Sequence, residues 1–305
     1  MQDPMGLVHV VDDIPELAGR QGDPAGLVLV HALDGFLDAG GAGRLAAAQL
    51  AEGSRVVASF DLDQLYDYRG RRPPLTFRED HYEDYEAPRL LLRLARDGAG
   101  TPFLLLTGPE PDYQWERFAE AVRGLLDRFG VARTLGMGAV PMALPHTRPP
   151  MLTVHSAQPE ELETENIWKG NLRVPGSAAA VLELRLGQWG HRSMGFVAHV
   201  PHYVAQHDYP QAAVELVQAV GRQTGLDLTP GPLVEAASRR ATEIAEQVEA
   251  SDEIREAVTA LEQQYDAFTR AAESSLLAED TPLPSAEELG AEFERFLAGL
   301  DRRDE

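Results

Sequence analysis

Short apolar runs alternate with helix-patterned segments over the first 225 positions, and this alternation constrains the fold more than any other feature. Gly26-Leu27-Val28-Leu29-Val30-His31-Ala32-Leu33 is too short for a helix and rich in β-branched residues, so it reads as a buried strand. The loop Asp34–Gly41 follows, then an Ala-rich helix over Ala42–Leu50. Arg55–Leu62, Phe103–Thr107, Thr134–Val140, Met151–Ser156 and Gly195–Val200 read as further strands. Trp115–Phe129 carries Phe118, Ala121, Val122, Leu125, Leu126 and Phe129 at helical spacing, and Pro210–Thr224 is a second long helix. Strands alternating with helices predict a mainly parallel sheet covered on both faces, a three-layer α/β/α core.

In such sheets ligands gather beyond the carboxyl ends of the strands. That rule puts Asp34–Gly40, Asp61–Asp63, Thr107–Glu110, Pro141–Arg148 and Pro201–Tyr203 on one rim. Residues 64–100 interrupt the alternation. Leu75–Arg78 and Ala87–Leu94 flank a polar turn, Glu79–Glu86, and read as a β-hairpin insertion. An exposed hairpin edge suits an oligomer contact; a hairpin folded back on its own domain is the alternative.

The domain boundary is expected near residue 229: an α/β core over 1–229 and an acidic all-helical subdomain over 230–305. Ser251 before Asp252-Glu253-Ile254 starts one helix, and Ser285 with Glu288 forms a capping-box pattern. Residues 233–305 hold 19 acidic and 7 basic side chains, a net of −12 out of −22 for the chain. The segment is either a solvated appendage or a lid over the rim, because its apolar stripes need a partner.

A formal charge of −22 argues against a general nucleic-acid binder. No Cys is present, which removes disulfides, thiolate metal sites and a cysteine nucleophile. No apolar run approaches the ~20 residues of a membrane span, and no signal peptide is recognisable at Met1–Val11, so a soluble cytoplasmic protein is expected. Lys169 is the only lysine, which fits a GC-rich codon bias.

Several constellations border the predicted rim. Asp34-Gly35-Phe36-Leu37-Asp38-Ala39-Gly40-Gly41 ends a strand and opens a helix, a place where amides bind anions. Its glycine spacing fits neither a dinucleotide fingerprint nor a P-loop, and Asp38 reads as a helix cap. Asp61 and Asp63 alternate at strand spacing, so they hold a cation or, more economically, pair with Arg69, Arg71 and Arg72. Gly108 and Glu110 lie in a strand-end Gly-Pro-Glu-Pro turn. Gly138–Pro150 is a proline-studded loop that cannot be helix and is stiffened at each Pro. On it, His146 and Arg148 suit a general base and an oxyanion clamp, or Arg148 ties loops together through backbone carbonyls, with Thr147 between them. His199-Val200-Pro201-His202-Tyr203-Val204-Ala205-Gln206-His207 spaces three histidines, but Pro201 breaks any helical face and no zinc pattern accompanies it. His202 and Tyr203 therefore end a strand at the rim. Lys169-Gly170-Asn171 and Val174-Pro175-Gly176-Ser177 precede a helix over Ala178–Leu186, with Ser177 as its N-cap. No metal, cofactor or known catalytic motif is expected.

Asp34-Gly35…Asp38-Ala39-Gly40, Asp67-Tyr68-Arg69…Arg72-Pro73, Gly108…Glu110-Pro111…Trp115, Pro145-His146-Thr147-Arg148-Pro149 and Val200-Pro201-His202-Tyr203 together resemble the PAC2 family. That family is named for proteasome assembly chaperone 2, and the likeness is greatest to its uncharacterised actinobacterial branch. The resemblance spans roughly residues 5–225. It implies a phosphorylase/hydrolase-like fold related to purine nucleoside phosphorylases, a helical C-terminal extension and a homo-oligomer, a trimer by expectation. It implies no reaction. Proteasome-binding relatives use a C-terminal hydrophobic-tyrosine-any residue tail, which Asp301-Arg302-Arg303-Asp304-Glu305 does not match. The expected function is non-catalytic binding or assembly with an unidentified protein partner. The alternative is a small-molecule enzyme or sensor holding an anionic, nucleoside- or phosphate-type ligand at the rim beneath the helical tail.

Overall fold

A computed structural model of the chain describes residues 3–11, 14–17, 26–162 and 171–277. Lys169, Gly170 and the Ser285–Glu288 capping pattern lie outside the described residues. In chain order the elements are β1 (Val8–Val10), β2 (Leu27–Asp34), α1 (Ala42–Leu50), β3 (Arg55–Phe60), β4 (Thr76–Arg78), β5 (His81–Glu83), β6 (Leu91–Arg96), β7 (Pro102–Pro109), α2 (Trp115–Phe129), β8 (Val131–Met142), β9 (Leu152–Ser156), α3 (Ala178–Gln188), β10 (Arg192–Pro201), α4 (Pro210–Thr224), α5 (Leu233–Glu249) and α6 (Asp252–Leu277).

Eight strands form one sheet in the order β1-β3-β6-β7-β2-β8-β10-β9. The expectation of a mainly parallel sheet is corrected: the sheet is mixed. Only β7-β2-β8-β10 run parallel, and β1, β3, β6 and β9 join through antiparallel pairings. Connection length explains the β6–β7 pair. A parallel pair needs a crossover of a dozen or more residues, whereas only Asp97–Thr101 separates β6 from β7. That turn is closed by the Asp97 carboxylate, which accepts from the Thr101 amide at 2.6 Å and the Ala99 amide at 3.0 Å.

Side chains alternate across β2. Val28, Val30 and Ala32 join α1, α4 and α5 in one apolar core. Leu27, Leu29 and Leu33 join α2 and α3 in the other. Three layers result, with the sheet in the middle. Pro210 opens α4 at a position where its missing amide costs nothing, and Gly225 closes it in the left-handed region at φ 74°. Helix α5 packs Leu233, Ala237 and Ile244 into the first core. No described helix is long and apolar enough to cross a membrane.

The hairpin is shorter than expected. Its arms are β4 and β5, turning at Glu79 and Asp80, with Glu79 at φ 52°. Residues 91–94, read as its second arm, belong to β6 of the main sheet. There Leu92 and Leu94 alternate inward and, with Leu90, fill the α2–α3 core. Little of the hairpin is buried: Phe77 is 59% and Tyr82 70% exposed, and their rings meet edge-on at 5.1 Å.

Candidate functional site

The carboxyl ends of β2, β7, β8 and β10 lie on one edge of the sheet, and β3 ends there too because it runs antiparallel to β6. The rim residues do not converge on one enclosed pocket among the described residues. They form three separate clusters.

The first joins β2, β7 and the N-terminus of α3. The Asp34 carbonyl accepts from the Glu110 amide at 2.9 Å. Glu110 then folds back against Gly35, where a Cβ would stand 2.1 Å from its Oε2, so Gly35 makes room for the carboxylate. Glu110 Oε2 accepts from the Phe36 amide at 3.2 Å, and Oε1 accepts from the Ala178 amide at 2.5 Å. Ser177 caps the same helix, its hydroxyl accepting from the Ala180 amide at 3.1 Å. Asp38 does the equivalent for α1: Oδ1 accepts from the Gly43 amide at 2.6 Å and Oδ2 from the Arg44 amide at 3.4 Å. Burial pushes the Asp38 carboxyl up to about 6, with help from the Asp34 charge and against the Gly43 and Arg44 amides. Two helix N-termini that could hold an external anion are thus filled by the chain's own carboxylates. Gly108 sits at φ 139°, where a Cβ would come within 2.2 Å of the Arg89 carbonyl.

The second cluster surrounds Asp61 and Asp63. Strand alternation does not apply to them, because β3 ends at Phe60 and Asp61 caps a short 3-10 turn. Asp61 Oδ1 accepts from the Asp63 amide at 3.1 Å and Oδ2 from Gln64 Nε2 at 2.7 Å. The expected pairing with Arg71 is also corrected: Arg71 binds Asp112 at 2.6 Å and the Glu110 carbonyl at 2.5 Å, and stacks over Tyr66 at 4.4 Å. An open depression of about 450 Å³ lies here, lined by Ser59, Asp61, Asp63, Tyr68, Pro88 and Arg89 among others. It opens beside β3 and β6, with β7 and β2 standing between it and β8. Among the described residues no group of three or more His, Asp or Glu is arranged to hold a metal ion.

The third cluster is the proline loop and the strand end beside it. The His146 amide donates to the Tyr203 hydroxyl at 2.7 Å, and His146 Nδ1 lies 2.8 Å from the same oxygen. Burial lowers the His146 imidazole, opposed by Glu262, and raises the Tyr203 phenol to about 12. His202 packs edge-on against Tyr203 with ring centres 5.4 Å apart. Arg148 does not tie loops through backbone carbonyls. It forms a fork on α6, with Nε 2.8 Å from Asp266 Oδ1 and Nη2 2.7 Å from Oδ2. The Thr147 hydroxyl donates to Glu262, and the Tyr265 hydroxyl donates to the Pro149 carbonyl at 3.1 Å. Helix α6 therefore contacts the proline loop and engages two of its polar side chains. His199 is buried and lies 2.8 Å from the Thr153 hydroxyl through Nε2, apart from His202 at the rim.

Sequence reading missed three polar residues on the α3 side of the sheet. His31, 2% exposed, has no hydrogen-bond partner at either ring nitrogen. His155 Nε2 lies 2.9 Å from Glu183 Oε2. A histidine inside an otherwise apolar strand was the available signal for His31. Glu262 and Asp266 were also missed as partners of the loop, because their i,i+4 spacing is lost in a uniformly acidic tail.

Solved structures resemble this one closely. A Mycobacterium tuberculosis protein of unknown function, Rv2714, is 48% identical over 89% of this chain and 92% of its own, with a TM-score of 0.84. A Corynebacterium glutamicum protein of unknown function is 36% identical over 87% of this chain and 99% of its own, with a TM-score of 0.80. The Mycobacterium tuberculosis proteasome-assembly chaperone homologue Rv2125 is 25% identical over 76% of this chain and 100% of its own, with a TM-score of 0.70. A search of the curated proteins gave no match. The PAC2 family model matches residues 32–248, from within β2 to the end of α5, so this chain belongs to the PAC2 family.

Proposed function

We propose that this chain is a non-catalytic binding and assembly protein. One observation carries the reading: Glu110, Asp38, Asp61, Thr147 and Arg148 on the rim are bonded to the chain itself, while the hairpin holds bulky apolar side chains in solvent. Glu110, Asp38, Thr147 and Arg148 each spend their side-chain capacity on internal partners. A catalytic group must face its substrate, and these four side chains are turned toward other parts of the chain. The hairpin, with Leu75, Phe77, Tyr82 and Tyr85 all about half exposed or more, suits burial against another surface. An isolated two-stranded hairpin is marginal in water, so it gains most from a partner.

On this reading the protein is a cytoplasmic homo-oligomer, a trimer as the family resemblance implies, built on a phosphorylase/hydrolase-like core. Helices α5 and α6 act as its helical appendage, and α6 as a lid on the proline loop. The likeness to a proteasome-assembly chaperone homologue supports an assembly role with a protein partner.

The test has two parts. Light scattering on the purified chain should report an oligomer, and Phe77→Ser with Tyr82→Ser should reduce it to monomer without lowering helix content. Capture from cells at native abundance should then recover a second protein in stoichiometric amount. A monomeric wild type, or recovery of the self-oligomer alone under conditions that keep weak complexes, overturns the reading.

A further inference from the structure

Four strands carry one polar row across the α3 side of the sheet. His31 of β2 is in register with Gly136 of β8, Gly136 with Gly195 of β10, and Gly195 with His155 of β9. The two glycines are spaces for the two imidazoles. A Cβ on Gly136 would meet His31 Cε1 at 2.7 Å, and one on Gly195 would meet His155 Nε2 at 2.3 Å. Glycine inside a strand commonly marks such a close approach. Above the row, Glu183 of α3 reaches down: its Oε2 is 2.9 Å from His155 Nε2 and would be 2.9 Å from a Cβ on Gly195. Exposure falls along the row, from 43% for the His155 side chain and 13% for Glu183 to 2% for His31.

We propose that His155, Glu183 and His31 form a proton-uptake site that loosens α3 from the sheet in acid. One carboxylate faces two imidazoles. With His155 protonated the site is neutral, and Glu183 is spent on it. A second proton, on His31, puts an uncompensated charge in a dry core unless Glu183 leaves His155 and α3 shifts with it. The charged groups that reach His31 are Glu183 of α3 and His155 of β9. Its sheet neighbours are Leu106 of β7 and Gly136 of β8, and the α2 residues in this core are apolar. Burial holds the His31 imidazole down at about 4, opposed by Glu183. Burial would lower His155 as well, but the hydrogen bond and charge of Glu183 outweigh it and hold that imidazole up. The consequence reaches the rim, because the first amide of α3, at Ala178, holds Glu110.

The sign follows from His31. Its folded value lies below its free value of 6.5, so stability is lost as pH falls from about 6.5 toward 4. Urea unfolding of the full chain at pH 8 and pH 5 reads this directly. On going to pH 5 the unfolding constant should rise roughly thirtyfold more in wild type than in His31→Met. Hydrogen exchange should locate the acid-induced opening in residues 178–188 and in the loop at Phe36. Glu183→Gln should steepen the acid loss, since it removes the charge that favours protonation of both histidines in the folded state. Parallel pH profiles for wild type and His31→Met overturn the proposal. If His31→Met does not fold, a Glu183→Gln profile parallel to wild type does the same. Wild type and variants are compared at one protomer concentration, and the difference between their pH profiles, not the oligomeric state or a captured partner, is the reading, so its failure is distinguishable from that of the assembly function.

Discussion

Glu110 joins the end of β7 to the loop after β2 and to the first turn of α3 with a single carboxylate. The sequence marked it as a rim residue, and its location could be read from the strand it follows. Its partners could not, because Ala178 is 68 positions away. Asp38 was legible as a cap, since it stands just before the Gly-Gly-Ala start of α1, and it does accept the Gly43 amide. What sequence could not supply was its burial. The folded carboxyl at about 6 lies above its free value of 3.8, so its contribution to stability is present below about 3.8 and lost as pH rises through 6. Asp38→Asn keeps the acceptor for Gly43 and removes the charge. The variant should therefore be more stable than wild type by about 1–2 kcal/mol at pH 7.5 and equal to it near pH 4, measured by urea unfolding. A wild type more stable at pH 7.5 would contradict this account.

At the scale of elements, helix bounds are legible in the sequence and strand directions are not. The bounds of α1, α2 and α4 coincide with the sequence reading, because each has an apolar face at helical spacing and a breaker at its end. Strand direction is a property of pairs. Leu91–Arg96 has the same pattern whichever way its neighbours run, so its sequence does not separate a hairpin arm from a strand of the main sheet. The Asp97-Gly98-Ala99-Gly100 turn was the clue to its antiparallel pairing with β7. Helix α6 is held to the proline loop mainly by polar contacts, with Arg148 forked on Asp266 and Val258 its one buried side chain among the residues whose burial is described. Arg148→Gln and Asp266→Asn should each speed amide exchange in residues 252–270. The double variant should be no faster than the faster single, since both remove one interaction. Additive effects would mean that the two residues hold the helix independently.

For the whole molecule, the charge of −22 sets self-repulsion against two apolar cores. Added salt screens that repulsion over a Debye length of about 10 Å at 0.1 M. The melting temperature should therefore rise by a few degrees between about 10 and 200 mM NaCl, while exchange in α6 accelerates because the Arg148 fork is screened as well. Calorimetry and exchange on the same samples separate these opposite trends. A melting temperature that falls with salt would mean that local ion pairs outweigh the net charge.

The sequence by itself determined the α/β class, most helices, the family and which loops reach the carboxyl rim. Those follow from local periodicity and from motifs, information carried within a few neighbouring residues. The tertiary structure alone decided that the sheet is mixed, that Glu110 and Asp38 are already engaged, that α6 grips Arg148, and that His31 lies over Gly136 without a partner. Each of those is a meeting of residues far apart in the chain. Burial and pairing at such a meeting depend on the whole packed arrangement, which no local pattern encodes.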